Sequence, residues 1–269
     1  NMNVSNDTFS NALEIPQTNS NFTDISHFFY LPNINELHSL ANYGKSGDNY
    51  LSSFFSNCSS TDYWTSTSSP DYPTLNGFCY NMETSTIIES DKSLTYRVWA
   101  VRGNSKVLPK TGQTVMNTSG DDGDLEKGVD WPTPRFYQNT TGTVVDNMTS
   151  LMWFLKDDSS SRIWGDSITL TTNTINPYSA SNFGYNDWTL PNINEVMTLM
   201  NYGQANLSSW LSSYGFNLSG SDYWTSTSTF YSPSTTKYDV NFDKQETSNA
   251  IRGFYRYILP VRQARIINY

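Results

Sequence analysis

Residues 31–36 read Leu-Pro-Asn-Ile-Asn-Glu, and the same six residues recur in the same order at positions 190–195. Three further matches keep this register, at an offset of 159 or 160 residues. They are Asn-Tyr-Gly at 42–44 and 201–203, Asp-Tyr-Trp-Thr-Ser-Thr-Ser at 62–68 and 222–228, and Val-Arg at 101–102 and 261–262. A repeat this long is a domain rather than a solenoid unit, so the sequence predicts two tandem domains with similar folds.

The duplication also predicts the domain boundaries. Domain one covers residues 1–105 and domain two covers residues 135–269. Between them, residues 106–134 are rich in Gly, Pro, Asp and Thr, with Asp-Asp-Gly-Asp at 121–124. Such polar, Gly- and Pro-containing stretches are typical of the segments that join domains. We therefore interpret residues 106–134 as an acidic linker.

Each copy carries the sequence signal for a capped helix. Asn33 and Asn192 are candidate N-caps, and Glu36 and Glu195, three residues later, complete a capping box. Apolar residues then follow at helical spacing until a glycine ends the pattern. Aromatic and β-branched runs after the helix predict strands. We expect an α+β fold in which each domain packs its capped helix on twisted antiparallel strands.

Only the second copy begins with a hairpin pattern. Residues 143–146 and 151–154 are apolar runs separated by the turn-like residues 147–150, and the first copy has no counterpart. A domain without its first hairpin exposes a sheet edge and a partly open core. The chain starts at Asn1 rather than Met, so we expect a processed product or part of a longer protein. Upstream residues, or a strand of a neighbouring chain, would then complete domain one.

Composition limits the classes of function. Charged residues make up 15% of the chain, aromatic residues also 15%, and the net charge is −9. A negative chain repels polyanions at long range, which disfavours nucleic-acid binding. No run of apolar residues is long enough to span a membrane.

The ordered motifs of the second copy resemble one known family. They are Gly142-Thr143-Val144, Leu151-Met152-Trp153, Trp188 with Leu190-Pro191, Tyr223-Trp224-Thr225, and Val261-Arg262. In this order and spacing the chain resembles the Legionella collagen-like protein C-terminal domain family. The resemblance covers residues 108–262 well, and residues 12–102 as a copy without its beginning. The resemblance implies two tandem domains of a C-type-lectin-like fold. It also implies a bacterial protein that is secreted or lies on the cell surface, and one family member implies adhesion to sulfated glycans.

Nothing in the sequence indicates catalysis. A general base near neutral pH is usually histidine, and the chain has only His27 and His38, neither with an equivalent in the second copy. No nucleophile elbow, zinc-protease motif or phosphate loop is present. The family resemblance implies no catalytic residues either. We expect a protein that is not an enzyme, with a glycosidase as the remote alternative.

One acidic cluster could hold calcium. Hard oxygen ligands crowd around a glycine in the side chains of Asp121, Asp122, Asp124 and Glu126. Their spacing is not that of an EF-hand. A solvated acidic turn explains the same residues. We expect no cofactor other than calcium at this cluster.

Two tyrosines and two asparagines are the candidate ligand-binding residues. Sugar sites place aromatic planes beside amide and hydroxyl groups, and Tyr63, Tyr223, Asn192 and Asn201 supply both. A Tyr-Trp pair on a strand sends one ring to each face, so we expect Trp64 and Trp224 to be core residues.

The two cysteines predict one disulfide. Cys58 and Cys79 are both absent from the second copy, and joint absence favours a bridge over two buried thiols.

We therefore expect an extracellular or cell-surface adhesion module that binds a glycan or another cell-surface ligand. The alternative is a structural subunit of an extracellular filament or sheath, bound to copies of itself, in which a neighbouring chain completes domain one.

Overall fold

The computed structural model describes residues 6–18, 28–45, 51–55, 58–59, 61–139, 142–157, 159–175 and 182–264. The chain forms two compact units. Unit 1 comprises Asn1–Asp130 with Asn201–Ala205, and unit 2 comprises Trp131–Met200 with Asn206–Tyr269. Both units combine short helices with small sheets, so the predicted α+β class is confirmed. No helix in the described ranges combines the length and apolar character needed to cross a bilayer.

Unit 1 is built on a five-stranded sheet in the order β1-β6-β3-β4-β5, beside a two-stranded ribbon of β2 and β7. All pairs are antiparallel except β3 with β6. The elements are β1 (Asn6–Asp7), α1 (Phe9–Thr18), β2 (Phe29–Tyr30), α2 (Ile34–His38), β3 (Asp62–Ser68), β4 (Asn76–Asn81), β5 (Thr86–Asp91), β6 (Tyr96–Arg97), β7 (Val101–Arg102) and α3 (Asp122–Leu125).

Unit 2 contains a four-stranded sheet in the order β14-β10-β9-β8 and a three-stranded sheet in the order β11-β12-β13, all antiparallel. The elements are β8 (Phe136–Gln138), β9 (Thr143–Asp146), β10 (Leu151–Phe154), α4 (Trp164–Thr169), which continues as a π-helix (Leu170–Ile175), α5 (Ile193–Met197), α6 (Leu207–Ser212), β11 (Asp222–Ser228), β12 (Thr236–Asn241), β13 (Glu246–Ile251) and β14 (Val261–Gln263).

The capping boxes form in both copies. The Asn33 side chain accepts from the Glu36 amide at 2.9 Å, and Glu36 accepts from the Asn33 amide at 3.0 Å. Asn192 and Glu195 make the same pair of bonds at 2.9 and 2.8 Å. This reciprocal pairing satisfies backbone donors that a helix start otherwise leaves unpaired.

The central strands of the two units share the same pairing and the same break in register. β3-β4-β5 has the same pairing as β11-β12-β13, and the register shifts between Trp64 and Ser68 in one and between Trp224 and Ser228 in the other. Both tryptophans are 0% exposed, which confirms that they are core residues. Their indole N–H groups donate to main-chain carbonyls at 2.9 and 2.8 Å, as a buried indole requires.

Most of the segment that the composition predicts as a linker lies in unit 1, where it packs against β3. Asp121 and Asp122 are 0% and 2% exposed. The amide group of Gln113 donates to the carbonyl of Ser68 at 2.5 Å and accepts from the Ser68 amide at 3.1 Å. The side chain thus continues the hydrogen bonding of β3 as a neighbouring strand would. The first two acids of the stretch are therefore buried, while Asp124 is exposed and Glu126 is half-buried.

The two units bring an ammonium group to equivalent serines from different points of the chain. In unit 1, Nζ of Lys92 donates to Oγ of Ser68 at 2.9 Å. In unit 2, Nζ of Lys237 donates to Oγ of Ser228 at 2.6 Å. Each lysine also donates to a proline carbonyl, at 2.6 and 2.5 Å.

The two lysines occupy different positions in the repeat. Lys237 pairs with Ser228 across the strands, and the residue that pairs with Ser68 is Gly77. A Cβ at Gly77 would lie 2.8 Å from the ring of Phe9, so glycine makes room for that ring. Lys92 then supplies the ammonium from the turn after β5 and lies 4.1 Å from the centre of the Phe9 ring.

Candidate functional site

Unit 1 contains an open groove beside β7, with a volume of about 570 Å³. We call it the β7 groove. Its apolar walls include Leu37, Leu40, Phe55, Trp99 and Val101. The volume falls within the range of ligand-binding pockets, which are mostly apolar with a few polar groups. The β7 groove is therefore the candidate functional site.

The walls of the groove come from separate elements that the core holds in place. Leu37 lies on α2 and is 1% exposed, while Trp99 precedes β7 and is 7% exposed. The Trp99 ring contacts Phe55 at a centroid distance of 4.8 Å and Tyr63 at 5.7 Å. These ring contacts fix one wall of the groove.

One end of the groove is polar. The hydroxyl of Tyr30 donates to Oε1 of Glu36 at 2.6 Å and lies 3.1 Å from the carbonyl oxygen of Gly103. Burial raises the pKa of Glu36, although the hydrogen bonds from Tyr30 and the Asn33 amide oppose that shift. Burial, with the neighbouring Glu36 carboxylate, raises the pKa of the Tyr30 hydroxyl. Tyr30 therefore stays a neutral donor that orients Glu36.

The equivalent face of unit 2 is covered by the hairpin of β9 and β10. β10 pairs with β14, placing Trp153 opposite Val261. Val261 is 0% exposed, whereas its counterpart Val101 is half-buried. Leu199 is likewise 0% exposed, and its counterpart Leu40 is half-buried. Among the described residues of unit 1, no hairpin covers this face.

The residues predicted to bind a ligand make structural contacts within the two units. Tyr63 and Tyr223 are 0% and 1% exposed. The hydroxyl of Tyr223 donates to Asp157 at 2.7 Å, and Tyr63 accepts from a main-chain amide. Asn192 caps α5, and Asn201 is 4% exposed and accepts from a main-chain amide at 3.1 Å. Burial leaves Tyr63, Tyr223 and Asn201 little surface for a sugar, whereas Asn192 is exposed, so the aromatic–amide sugar site stays a prediction.

The predicted calcium ligands do not converge. Among the described residues, no group of three or more acidic, His or Cys side chains is arranged to hold a metal. Asp121 caps α3 and accepts from the amides of residues 117, 118 and 124. Asp124 accepts from the amide of residue 120 at 2.8 Å, and Glu126 pairs with Lys110 at 2.9 Å. Each of these three carboxylates thus already accepts at least one hydrogen bond from a protein donor.

Asp122 is the deeply buried acid of that cluster. Its Oδ2 accepts from the hydroxyls of Thr67 at 2.8 Å and Thr111 at 2.6 Å. Burial raises the pKa of Asp122 to about 7, and the negative charges of Glu36 and Asp121 add to the rise, while the two hydroxyls oppose it. The carboxyl therefore joins the segment around α3 to β3 and is not a ligand for an external group.

The predicted disulfide does not form. Cys58 and Cys79 are not bonded to each other. Cys79 lies on β4 and is 0% exposed, with its sulfur 3.6 Å from the Ile88 carbonyl and 3.5 Å from Oγ of Ser90. Its thiol thus faces β5 and contributes to the core as a small apolar side chain.

The structure describes one of the two histidines. His27 lies outside the described residues. His38 packs against the rings of Tyr43 and Tyr80, and its Nε2 is 2.5 Å from the Tyr43 hydroxyl. Burial lowers the pKa of His38 to about 4, so its ring is neutral at physiological pH.

Comparison with known proteins agrees with the internal repeat. The family model described as the Lcl C-terminal domain matches residues 4–102 and again residues 142–262. The second matched region includes the hairpin of β9 and β10, and the first has no such hairpin among its described residues. No curated protein matches the chain. The two matches together cover most of the sequence, and the chain belongs to the Lcl C-terminal domain family, of which it carries two tandem copies.

Proposed function

We propose that the chain is an extracellular, non-enzymatic surface protein that acts by binding, and that the β7 groove is where it joins a surface assembly. Family membership supports the surface location, because the family is that of a Legionella collagen-like surface protein. The open groove carries the proposal, since unit 2 covers the same face with its own strands. In this proposal both units have the C-type-lectin-like fold.

The chemistry of the groove favours a macromolecule with apolar side chains. The groove exposes apolar side chains of Leu40, Phe55 and Val101. Two further aromatic residues close to groove residues in sequence are also exposed, Phe54 at 67% and Phe28 at 90%. Exposed apolar clusters of this kind mark sites of protein association. A catalytic role has no support in the same place, because Glu36 is held by Tyr30 and the Asn33 amide.

Adhesion to a glycan is the second candidate. Family membership and the weakly charged surface, with 15% charged residues, favour it. The net charge of −9 opposes a sulfated glycan at long range, so an uncharged glycan suits the chain better. A glycan panel scored for retention and for cleavage tests this candidate, and cleavage would also contradict the non-enzymatic assignment.

A groove-blocking variant tests the assembly role. Ser39 is exposed at the groove rim, so Ser39→Trp should fill the groove without disturbing the core. Ser93→Trp, at an exposed serine that does not line the groove, is the matched control. We expect native surface material to sediment as an assembly that is lost with Ser39→Trp and kept with Ser93→Trp. Dispersed wild-type chains in that material, or assembly that survives Ser39→Trp, would contradict the proposal.

A further inference from the structure

We infer that α5 and β11 of unit 2 form a binding site for an aspartate-bearing polypeptide segment, which docks there as residues 109–129 dock on α2 and β3 of unit 1. We call residues 109–129 the strap. The inference concerns a different place from the β7 groove and does not depend on the proposed function. It begins from the fact that the residues beneath the strap, at 31–36 and 62–68, recur unchanged in the second copy.

Two asparagines of unit 1 hold the ends of the strap. Nδ2 of Asn33 donates to the Lys127 carbonyl at 3.1 Å, and Nδ2 of Asn35 donates to the Pro109 carbonyl at 3.1 Å. Both asparagines lie at the start of α2, where Asn33 is the N-cap. The site therefore recognises main-chain carbonyl oxygens through side-chain amides.

One carboxyl group of the strap reaches the end of β3. Oδ2 of Asp122 accepts from the Thr67 hydroxyl at 2.8 Å, and the oxygen of that hydroxyl accepts from the Ile34 amide at 3.0 Å. The Gln113 side chain bonds to the amide and the carbonyl of Ser68 in the next position. The threonine hydroxyl thus links the start of α2 to a carboxyl group on the strap.

Unit 2 holds the same groups in the same local arrangement. The Thr227 hydroxyl oxygen accepts from the Ile193 amide at 3.0 Å, as its counterpart does in unit 1. Asn192 caps α5 through Oδ1, with φ −75° and ψ 168° against −73° and 171° at Asn33. The donors that bind the strap in unit 1 are therefore also positioned in unit 2.

These donors are open in unit 2. Among the described residues, no acceptor takes a hydrogen bond from Nδ2 of Asn192, Nδ2 of Asn194 or the Thr227 hydroxyl. Asn192 and Asn194 are exposed and Thr227 is half-buried, whereas Asn33 and Thr67 are 1% and 0% exposed beneath the strap. β11 is also an edge strand, in the order β11-β12-β13.

The unused donors set the class of ligand. A threonine hydroxyl beside two amide groups requires a carboxyl oxygen together with main-chain carbonyl oxygens, which an aspartate within a polypeptide supplies and a free carboxylate does not. The nearby Glu195 does not exclude a second acid. In unit 1 burial, with the charges of Glu36 and Asp121, raises the pKa of Asp122 to about 7, so that carboxyl docks beside Glu36 with its proton.

The first experiment uses the full chain and a peptide of residues 106–130 at physiological ionic strength. We expect saturable binding that slows hydrogen exchange in α5 and at the end of β11. Asp122→Ala in the peptide should weaken binding about tenfold, because the Thr227 hydroxyl loses its acceptor, and Ser119→Ala, at an exposed serine, should not. Absence of binding, protection elsewhere than at α5 and β11, or equal protection by acetate would overturn the inference.

Variants of the chain test the threonine directly. Thr227→Val removes the donor and should weaken peptide binding about tenfold, while Thr227→Ser keeps the hydroxyl and should restore it. Asn249→Ala, at an exposed asparagine of β13, is the control and should bind as the wild type does. Binding that is equal in Thr227→Val and Thr227→Ser would show that the hydroxyl does not recognise the segment.

A cross-link in cells that produce the protein identifies where the segment comes from. A photoreactive benzoylphenylalanine at the exposed Asn194 should capture a segment that contains aspartate, and Thr227→Val should reduce the yield. Sequencing of the adduct distinguishes a segment of the same polypeptide from one of a second polypeptide. No adduct, a captured segment without an acidic residue, or a yield that Thr227→Val leaves unchanged would overturn the inference.

Discussion

The side-chain hydroxyl of Thr111 donates a 2.6 Å hydrogen bond to Oδ2 of Asp122 inside unit 1. Thr67 on β3 donates to the same oxygen at 2.8 Å. One carboxyl group thus connects the acidic segment to the central sheet. Because that carboxyl is buried, its protonation should control how stably the segment packs.

Unit 1 should lose stability as the pH rises from about 4 to about 7. The pKa of Asp122 is about 7 in the folded protein, above the ordinary value of 3.8. The folded state therefore holds a proton that the unfolded state releases in this window, which lowers the unfolding free energy by up to roughly 4 kcal/mol in total. Asp122→Asn should remove this slope and raise stability at pH 8. Calorimetry from pH 4 to 8 measures both the slope and the stability at pH 8, with the exposed Asp243→Asn as control. An unchanged slope in Asp122→Asn would refute the assignment.

The two capping asparagines should contribute unequally to the free energy of unfolding. Asn192→Ala removes an exposed cap and should cost about 1 kcal/mol of unfolding free energy. Asn33→Ala should cost roughly 1 kcal/mol more, because its amide also donates to the Lys127 carbonyl at 3.1 Å from a site that is 1% exposed. Urea unfolding of the two variants gives the comparison. Equal losses would show that the bond to Lys127 adds no stability.

Gly77→Ala should destabilise unit 1. The new Cβ would stand 2.8 Å from Cε2 of Phe9, a ring that is 0% exposed and cannot move without disturbing the core. We expect a loss of roughly 1–3 kcal/mol, which is typical of overpacking. Gly44→Ala is the control, because the atom nearest to its Cβ is 3.4 Å away. Thermal unfolding that ranks Gly44→Ala as the worse variant would contradict the packing argument.

The cysteines should titrate as two thiols. Cys79 faces β5 and is not bonded to Cys58, so the denatured, unreduced chain should react with two equivalents of a thiol reagent. Cys58→Ser should lower the count to one. A count near zero in the wild-type protein would mean that the bridge predicted from the sequence forms after all.

The sequence predicted the features that depend on local chemistry. The capping boxes follow from Asn and Glu three residues apart, and the buried Trp64 and Trp224 follow from strand alternation with an apolar ring. The buried Tyr63 and Tyr223 could not be predicted in this way. Strand alternation sends the tyrosine to the opposite face from the tryptophan, and only the structure shows that both faces are covered.

The burial of two acids in the acidic segment could not be predicted from the sequence, for a similar reason. Its composition is that of a linker, yet Asp121 and Asp122 are buried, because threonine, serine and main-chain donors of unit 1 satisfy their oxygens. Those donors lie more than fifty positions away on β3 as well as nearby in the chain. A composition count cannot detect a long-range partner. The β7 groove, by contrast, lies on the face that the hairpin of β9 and β10 covers in unit 2, and no strand of the described residues covers that face in unit 1.

Lys92 and Lys237, which donate to Ser68 and Ser228, limit which strands can be exchanged between the two copies. Transplanting the strand that carries Lys237 into the first copy would bring a second cation beside Lys92 and a long side chain into the space of Phe9. Both copies thus place a lysine ammonium beside the equivalent serine, but each does so from a different position in the repeat. Neither lysine position can be moved alone into the other copy. Chimeras should be cut outside β4 and β12 and should move the lysine together with the aromatic ring beneath it, Phe9 in one copy and Trp164 in the other.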